Sequence, residues 1–273
     1  MSQPKSSDAI AAKLRSAELR TRNDALVRLS QEPQQALNGS LVEALIENLS
    51  SPSKAVARRA AGVIAAGAVH NPAIVGRLLA LLDGPQESTR WAAAYALGQI
   101  DGALDLRACA PLLEALGNSD GDVRWAAHQL VVRLGRSHRG PIRDRLLALQ
   151  QRADTNTRKM ALYALRDLGI REAAVVAAAC AACASADGQV RLAGLSLLKG
   201  IGAGYPEAVD TVVKCLQSDS DQGVRRSAAF TLGYLSDRSA PVLAALHEAA
   251  GSTHDAAMRK AAHLTLSRLK EEP

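Results

Sequence analysis

The sequence predicts an all-α protein, an α-solenoid (superhelix) of about eight helical hairpins. Two observations lead to this fold class. Only 3% of the 273 residues are aromatic, and alanine and leucine supply most of the apolar side chains, which suits close helix packing better than a β-sandwich. In addition, a helical motif centred on an arginine returns about every 34 residues along the chain.

The recurring arginine marks the start of the second helix of each hairpin. It stands at Arg22, Arg58, Arg90, Arg124, Arg158, Arg191, Arg225 and Arg259. Three positions later the chain has Ala25, Ala61, Ala93, Ala127, Ala161, Gly194, Ala228 and Ala262. Seven positions after the arginine it has Leu29, Ala65, Leu97, Val131, Leu165, Leu198, Leu232 and Leu266. Since these two positions lie one turn apart on the same helical face, each second helix has an inner stripe of small and larger side chains.

An apolar segment upstream of the arginine predicts the first helix of each hairpin. In chain order the clear examples are SLVEALIENL from residue 40, AIVGRLLALL from 73, RACAPLLEAL from 107, PIRDRLLALQ from 141 and EAVDTVVKCL from 207. Between the two helices lie short turns such as GNSDGD, SADGQ and QSDSDQG, whose residue types cap helices and tolerate tight turns. A single hairpin cannot bury its apolar faces, so the hairpins must stack on each other.

The repeated motif resembles the HEAT repeats, especially the bacterial HEAT-like type that is shared with phycobilisome lyases. The similarity is carried by DVRWAAHQL, QVRLAGLSLL and GVRRSAAFTLG, and by Pro111 inside the first helix of the fourth copy. It extends from about residue 8 to 270 and implies a single HEAT-like repeat domain over residues 1–273. The predicted repeats are residues 8–36, 37–70, 71–102, 103–137, 138–170, 171–203, 204–237 and 238–270.

The recurring arginine is expected to be structural. From the start of the second helix its guanidinium group can reach carboxylates and carbonyls of the preceding turn, near Asp122, Asp187 or Asp221, and tie one repeat to the next. The structural set is Arg58, Arg90, Arg124, Arg158, Arg191, Arg225 and Arg259.

The positions at which the repeats differ form the candidate binding surface, because the shared positions are committed to packing. The resemblance implies that second helices line the concave side of the solenoid. The aromatic residues of the chain are 2 Trp, 4 Tyr and 1 Phe. Four of them lie on the predicted second helices of the third to fifth repeats. The predicted partner-binding groove consists of Trp91, Tyr95, Trp125, His128, Lys159, Tyr163, Arg166 and Arg59, with Lys199 as a further basic neighbour. The alternative is that these rings only fill space between second helices.

The arginine-rich run RLGRSHRGPIRDR, residues 133–145, is a second candidate site and is expected to form a loop between the fourth and fifth repeats. Guanidinium groups suit phosphate and carboxylate recognition. The candidate anion-binding residues are Arg136, His138, Arg139 and Arg143. The alternative is a solvated loop that binds no anion.

These features predict a non-enzymatic scaffold or adaptor that binds a protein partner of acidic character. The net charge of +6 and the pI near 9.3 keep nucleic-acid binding open as an alternative function. The resemblance adds another alternative, a factor similar to lyase subunits or a maturation chaperone.

No catalytic residue, cofactor or metal site is expected. Cys180 and Cys183 form a CxxC, but neither a second CxxC nor an HxxxH accompanies it, so the cysteines are interpreted as small apolar residues. His247 and Glu248 form a single His-Glu pair, whereas HEAT-like iron-binding hydroxylases carry several. A polar amino terminus, sparse cysteines and the lack of a run of ~20 strongly apolar residues predict a cytoplasmic protein without a membrane span.

Overall fold

The computed structural model describes residues 6–31, 39–102, 104, 106–152, 154–252 and 255–271. Within these ranges all regular structure is helical and no strand occurs. The chain forms two compact units, Met1–Ala115 (unit 1) and Leu116–Pro273 (unit 2). The predicted repeat boundaries at residues 36, 37 and 103 lie outside the described residues.

Unit 1 consists of helix pairs packed in two layers. Its helices are α1 (Ser6–Leu14), α2 (Leu19–Gln31), α3 (Gly39–Leu49), α4 (Lys54–Ala68), α5 (Ala73–Leu81), α6 (Glu87–Gln99) and α7 (Cys109–Ala115), with a 3-10 turn at Leu106–Ala108 before α7. Helices α1 and α3 pack against each other in one layer, and α2, α4 and α6 pack in order in the other. This layering is the stacking of hairpins that the apolar faces require.

Unit 2 repeats the same arrangement. Its helices are α8 (Gly121–Ser137), α9 (Arg139–Ala148), α10 (Thr155–Asp167), α11 (Ala173–Cys183), α12 (Gly188–Ile201), α13 (Pro206–Ser218), α14 (Gln222–Leu235), α15 (Ala240–Ala250) and α16 (Ala256–Glu271), with a 3-10 turn at Leu149–Gln151. The second helices α8, α10, α12, α14 and α16 pack in order in one layer, and α11, α13 and α15 form the other. The predicted all-α solenoid is thereby confirmed, and the described residues contain sixteen α-helices. None of the described helices is both long enough and apolar enough to span a bilayer.

The core follows the two predicted columns of the second helices. Solvent does not reach Ala61, Ala93, Ala127, Ala161, Ala228 or Ala262 in the small column, nor Leu97, Val131, Leu165, Leu198 or Leu232 in the larger one. Ala65 is the exception, since it is only partly buried. The small side chains let neighbouring helices approach closely, and the larger ones fill the space between them.

Aspartates begin the second helices of unit 2. The side chains of Asp120, Asp154, Asp187, Asp221 and Asp255 each accept a hydrogen bond from a backbone N–H two or three residues later. Each aspartate stands four positions before the recurring arginine. The bond satisfies one of the free N–H groups of the first helical turn, and the negative charge suits the positive end of the helix dipole. These caps therefore fix where each second helix starts.

Candidate partner-binding surface

The recurring arginine folds back onto the turn before its own helix. Nη1 of Arg90, Arg124, Arg191 and Arg225 donates to the carbonyl oxygens five and six residues earlier, at 2.6–3.2 Å. Nη1 of Arg259 donates in the same way to the carbonyl of Ser252. The guanidinium group thus satisfies turn carbonyls that the helix ladder cannot reach.

Three of the arginines named above also pair with a carboxylate of the following repeat, and the longest of these contacts joins Nη2 of Arg225 to Oδ2 of Asp255 at 3.9 Å. In unit 1, Nη2 of Arg90 lies 2.9 Å from Glu114. In unit 2, Arg191 donates to both oxygens of Asp219 at 2.8 Å, and the side chains of this pair are only 13% and 7% exposed. These contacts use the arginine for packing between repeats and leave little of it for a ligand.

The candidate residues of unit 1 form one aromatic pair and one polar contact. Trp91 and Tyr95 lie on α6 with ring centroids 5.6 Å apart and planes tilted by 39°, and both are partly buried. Arg59 of α4 donates from Nη1 to the side-chain oxygen of Asn23 on α2. Arg59 therefore bridges two neighbouring second helices.

Trp125 is the most exposed aromatic side chain among the described residues. It lies in the first turns of α8 with 62% of its surface open to solvent. Its ring stacks on the imidazole of His128, with centroids 5.7 Å apart and planes only 15° from parallel. The indole is thus supported on one side and open on the other.

His128 does not lie on the surface, which corrects its inclusion among the partner-binding residues. Its side chain is 2% exposed, and Nε2 lies 3.3 Å from Oδ2 of Asp167 on α10. Burial lowers the pKa of His128 below its ordinary value of 6.5, although the nearby carboxylate of Asp167 acts in the opposite direction. The ring is therefore buried beneath Trp125, on which it stacks.

The basic and aromatic residues of α10 are partly committed to their neighbours. The guanidinium of Arg166 lies 5.1 Å from the centroid of the Tyr163 ring and binds Asp167 and the hydroxyl of Ser196 at 2.7 and 2.8 Å. Burial raises the pKa of Tyr163. Lys159 is partly exposed in the first turn of α10 and close enough to contribute to the lowered pKa of Asp187.

The arginine-rich run is helical, so the prediction of a loop is wrong. Helix α8 continues to Ser137 and α9 begins at Arg139, with only His138 between them. Arg139 donates to the carbonyl of Gly169, and Arg143 binds Asp144 and Glu172 at 2.8 and 2.6 Å. These carboxylates already occupy Arg143, which weakens the case for an anion site; Arg136 is exposed in the last turn of α8.

Cys180 and Cys183 lie on α11 and Cys215 lies on α13, which packs against it, whereas Cys109 begins α7. A hydrogen bond between the thiols of Cys183 and Cys215, together with burial, raises the pKa of Cys183. Burial also raises the pKa of Cys180. Among the described residues, no group of three or more His, Cys, Asp or Glu side chains is placed to hold a metal ion. His247 and Glu248 line an open groove of about 430 Å³ beside Arg225.

A second exposed patch, which the sequence analysis did not select, lies on the last three second helices. Phe230, Tyr234 and Leu264 are 44%, 43% and 52% exposed. Lys199 and Arg268 each lie 3.9 Å from the centroid of the Tyr234 ring. The signal in the sequence was Tyr234 itself, one turn beyond Phe230 on the same face of α14.

The two-layer packing of helical hairpins and the irregular side chains on the second helices define a class: a helical repeat protein with a fold typical of protein-interaction scaffolds. The chain belongs to the HEAT-repeat family, since HEAT repeats match residues 42–131, 142–233 and 209–273. No curated protein matches the chain.

Solved structures share the fold at low sequence identity. A chain of the Kap95:Nup1 complex is 15% identical with a TM-score of 0.68, and the match covers 98% of this chain and 42% of that one. The Escherichia coli protein YIBA is 17% identical with a TM-score of 0.56, covering 94% and 99%. An engineered protein is 21% identical with a TM-score of 0.52, covering 98% and 79%. These likenesses establish the fold alone.

Proposed function

We propose that this HEAT-repeat protein is a non-enzymatic scaffold or adaptor that binds a protein partner through exposed side chains of its second helices. The observation that carries the proposal is Trp125, which is 62% exposed while its ring stacks on the buried His128. A tryptophan that is already held in one orientation loses little conformational freedom on binding, and tryptophan is enriched among interface hot spots.

Basic residues on the helix beside Trp125 favour an acidic partner. Lys159 and Arg166 lie on α10, the second helix that packs beside α8. The whole chain carries a net charge of +6, which attracts anionic surfaces over distances of about a Debye length, ~8–10 Å at physiological salt. Protein binding is also the use to which a similar solenoid is put in the Kap95:Nup1 complex.

The test is affinity capture from the native host with the tagged chain, identification of the partner by mass spectrometry, and a dissociation constant measured with the purified partner. Trp125→Ala is expected to weaken binding by about tenfold or more, since loss of a hot-spot side chain costs at least ~1.4 kcal/mol. Val69→Ala is the matched control, because Val69 is a highly exposed apolar residue of unit 1.

A partner that binds Trp125→Ala as tightly as the wild-type chain would contradict the proposal. Trp91→Ala, measured in parallel, reports whether the partly buried pair of unit 1 contributes. The nucleic-acid alternative predicts affinity for DNA or RNA that falls steeply with salt and does not depend on a protein partner. A titration of labelled oligonucleotides at low ionic strength separates the two functions.

A further inference from the structure

We propose that α12, α14 and α16 carry a second docking surface, which binds an acidic protein segment containing a large apolar residue. This surface, which we name the Tyr234 surface, consists of Lys199, Phe230, Tyr234, Leu264 and Arg268. The inference goes beyond the proposed function, because only Lys199 was predicted as a neighbour of the groove that contains Trp125 and because the inference specifies the chemistry of the ligand.

The packing of α14 against α16 places Phe230 and Leu264 at matching positions of the two helices. Oγ1 of Thr265 on α16 donates to the carbonyl of Ala229 on α14 at 2.9 Å, and this bond is buried. Phe230 directly follows Ala229, and Leu264 directly precedes Thr265. Both occupy the position five residues after the recurring arginine, on helices that pack together. They therefore occupy equivalent exposed positions on neighbouring helices, and we call the two side chains the apolar strip.

The exposure of this strip is not explained by packing within the chain. Phe230 and Leu264 leave about half of their surface in water, and Tyr234 adds a third exposed side chain one turn beyond Phe230. A cluster of large exposed apolar side chains edged by charges is typical of an interaction site, whereas isolated exposed apolar residues are common. The described residues of unit 2 contain one other exposed large apolar side chain, Trp125 on α8.

Two cations hold the Tyr234 ring in place. Nζ of Lys199 approaches it from α12 and the guanidinium of Arg268 from α16, the two helices that flank α14. A hydrogen bond from Arg268 and the charge of Lys199 lower the pKa of Tyr234. Cations over an aromatic ring are attracted by its π-electrons, so the ring and both charges form one ordered unit.

The charge of the three helices specifies an acidic ligand. Helices α12 and α14 contain no Asp or Glu, and in α16 the single acidic residue is the last one, Glu271. Exposed Arg226 and Lys260 add further positive charge on α14 and α16. Carboxylates of a bound segment would therefore meet cations on either side of the apolar strip, and an apolar side chain between them would cover it.

The same geometry argues against single-stranded nucleic acid. Proteins that bind single strands stack bases on free aromatic faces. The ring of Tyr234 is flanked by Lys199 and Arg268, so its faces are not free for a base. A carboxylate can bind these cations without displacing them from the ring.

The experiment is fluorescence anisotropy with the 273-residue chain and a labelled peptide of glutamates around one central phenylalanine. Three further probes are the same peptide with serine in place of phenylalanine, a peptide with lysines in place of the glutamates, and labelled oligothymidine. The wild-type chain is expected to bind the first peptide at least about tenfold more tightly than the others, with an affinity that falls as salt is added.

Variants assign the binding to the Tyr234 surface. Phe230→Ser is expected to weaken peptide binding about tenfold. The double variant Lys199→Gln with Arg268→Gln is expected to weaken peptide binding by a similar factor and to reduce the dependence of the affinity on salt. Lys214→Gln, on exposed Lys214 of α13 in the other layer, is the charge control and leaves binding unchanged. Far-ultraviolet circular dichroism and melting curves check that every variant is folded.

Unchanged peptide affinity in folded Phe230→Ser, equal binding of the serine peptide, or tighter binding of oligothymidine would each overturn the inference. Trp125→Ala is expected to bind the peptide as the wild-type chain does. An error in the inference about the Tyr234 surface and an error in the proposed function at Trp125 would therefore give different results.

Discussion

At the scale of single residues, Arg191 connects two repeats with one side chain. Nη1 binds the carbonyls of Ser185 and Ala186 in the turn before its own helix, and the other two nitrogens bind both oxygens of Asp219 in the next repeat. The planar guanidinium with several donors fits this arrangement, whereas the single ammonium group of lysine does not.

Arg191→Lys is therefore expected to lower the free energy of unfolding by about 1–3 kcal/mol, although the charge is retained. The loss arises because Asp219 stays largely buried without its bidentate partner. Urea denaturation followed by circular dichroism measures the change.

Arg77→Ala is the matched control for this variant. Arg77 pairs with Glu43, but these side chains are 60% and 42% exposed, and solvent screens such pairs strongly. We expect a change within ~0.5 kcal/mol. A loss as large as that of Arg191→Lys would show that exposure does not distinguish the two arginines.

The candidate site was only partly predictable from the sequence at this scale. The exposed position of Trp125 follows from the column after the recurring arginine. The burial of His128 could also have been found, because Leu162, Leu195 and Ala229 occupy the same position in the next three repeats and are fully buried. Tyr234 was missed because the aromatic residues of the predicted groove stand one and five positions after the recurring arginine, whereas Tyr234 stands nine positions after Arg225.

At the scale of helices, the columns of alanine and leucine were sufficient to place the second helices, because small and large side chains must alternate where helices stack. The run from residue 133 to 145 was wrongly assigned to a loop on the basis of its charge. Arginine is a good helix former, and a single residue outside the helical range of backbone angles, His138 with φ −130° and ψ 54°, is enough to separate α8 from α9. Charge density alone does not distinguish a loop from an exposed helical face.

Gly194 is the one glycine in the small column, and α11 explains why. A Cβ added there would lie 2.9 Å from the carbonyl oxygen of Ala179 and 3.0 Å from Sγ of Cys183. Gly194→Ala is expected to lower the free energy of unfolding by about 1–3 kcal/mol, because the backbone of α11 has to move. The steric cost exceeds the gain of ~1 kcal/mol that alanine brings inside a helix. Thermal and urea unfolding measure the balance.

Gly62→Ala reports the helix propensity alone. Gly62 lies inside α4, is exposed, and has nothing within 4 Å of the added Cβ. This variant is expected to stabilise the chain by up to ~1 kcal/mol. If both variants stabilised the protein, close approach of α11 to α12 would not be the reason for glycine at position 194.

At the scale of the whole molecule, the protonation of three side chains makes the stability of the fold depend on pH. Burial lowers the pKa of His128 below 6.5, so the unfolded chain binds its proton more readily than the folded chain does. A hydrogen bond from Thr155 lowers the pKa of Asp187 below 3.8, and backbone hydrogen bonds from Val224 and Gly223 do the same for Asp221. Each of these groups loses stabilisation as the pH falls, but in a different range.

We expect the free energy of unfolding to decrease in two steps on acidification. The first begins as the pH falls below 6.5, where unfolded histidine takes up a proton that folded His128 resists. The second begins below 3.8, where the unfolded aspartates protonate, and it is complete once the pH has passed the lowered folded values of Asp187 and Asp221. Urea unfolding at a series of pH values between about 8 and 3 measures both steps.

His128→Gln assigns the first step. Glutamine does not titrate, so the slope between neutral pH and about pH 5 is expected to decrease in this variant, whatever its absolute stability. An unchanged slope in His128→Gln would mean that the ring beneath Trp125 takes up its proton as easily in the folded chain as in the unfolded one. This result would contradict the burial of His128 beneath Trp125, and with it the fixed support of the Trp125 ring.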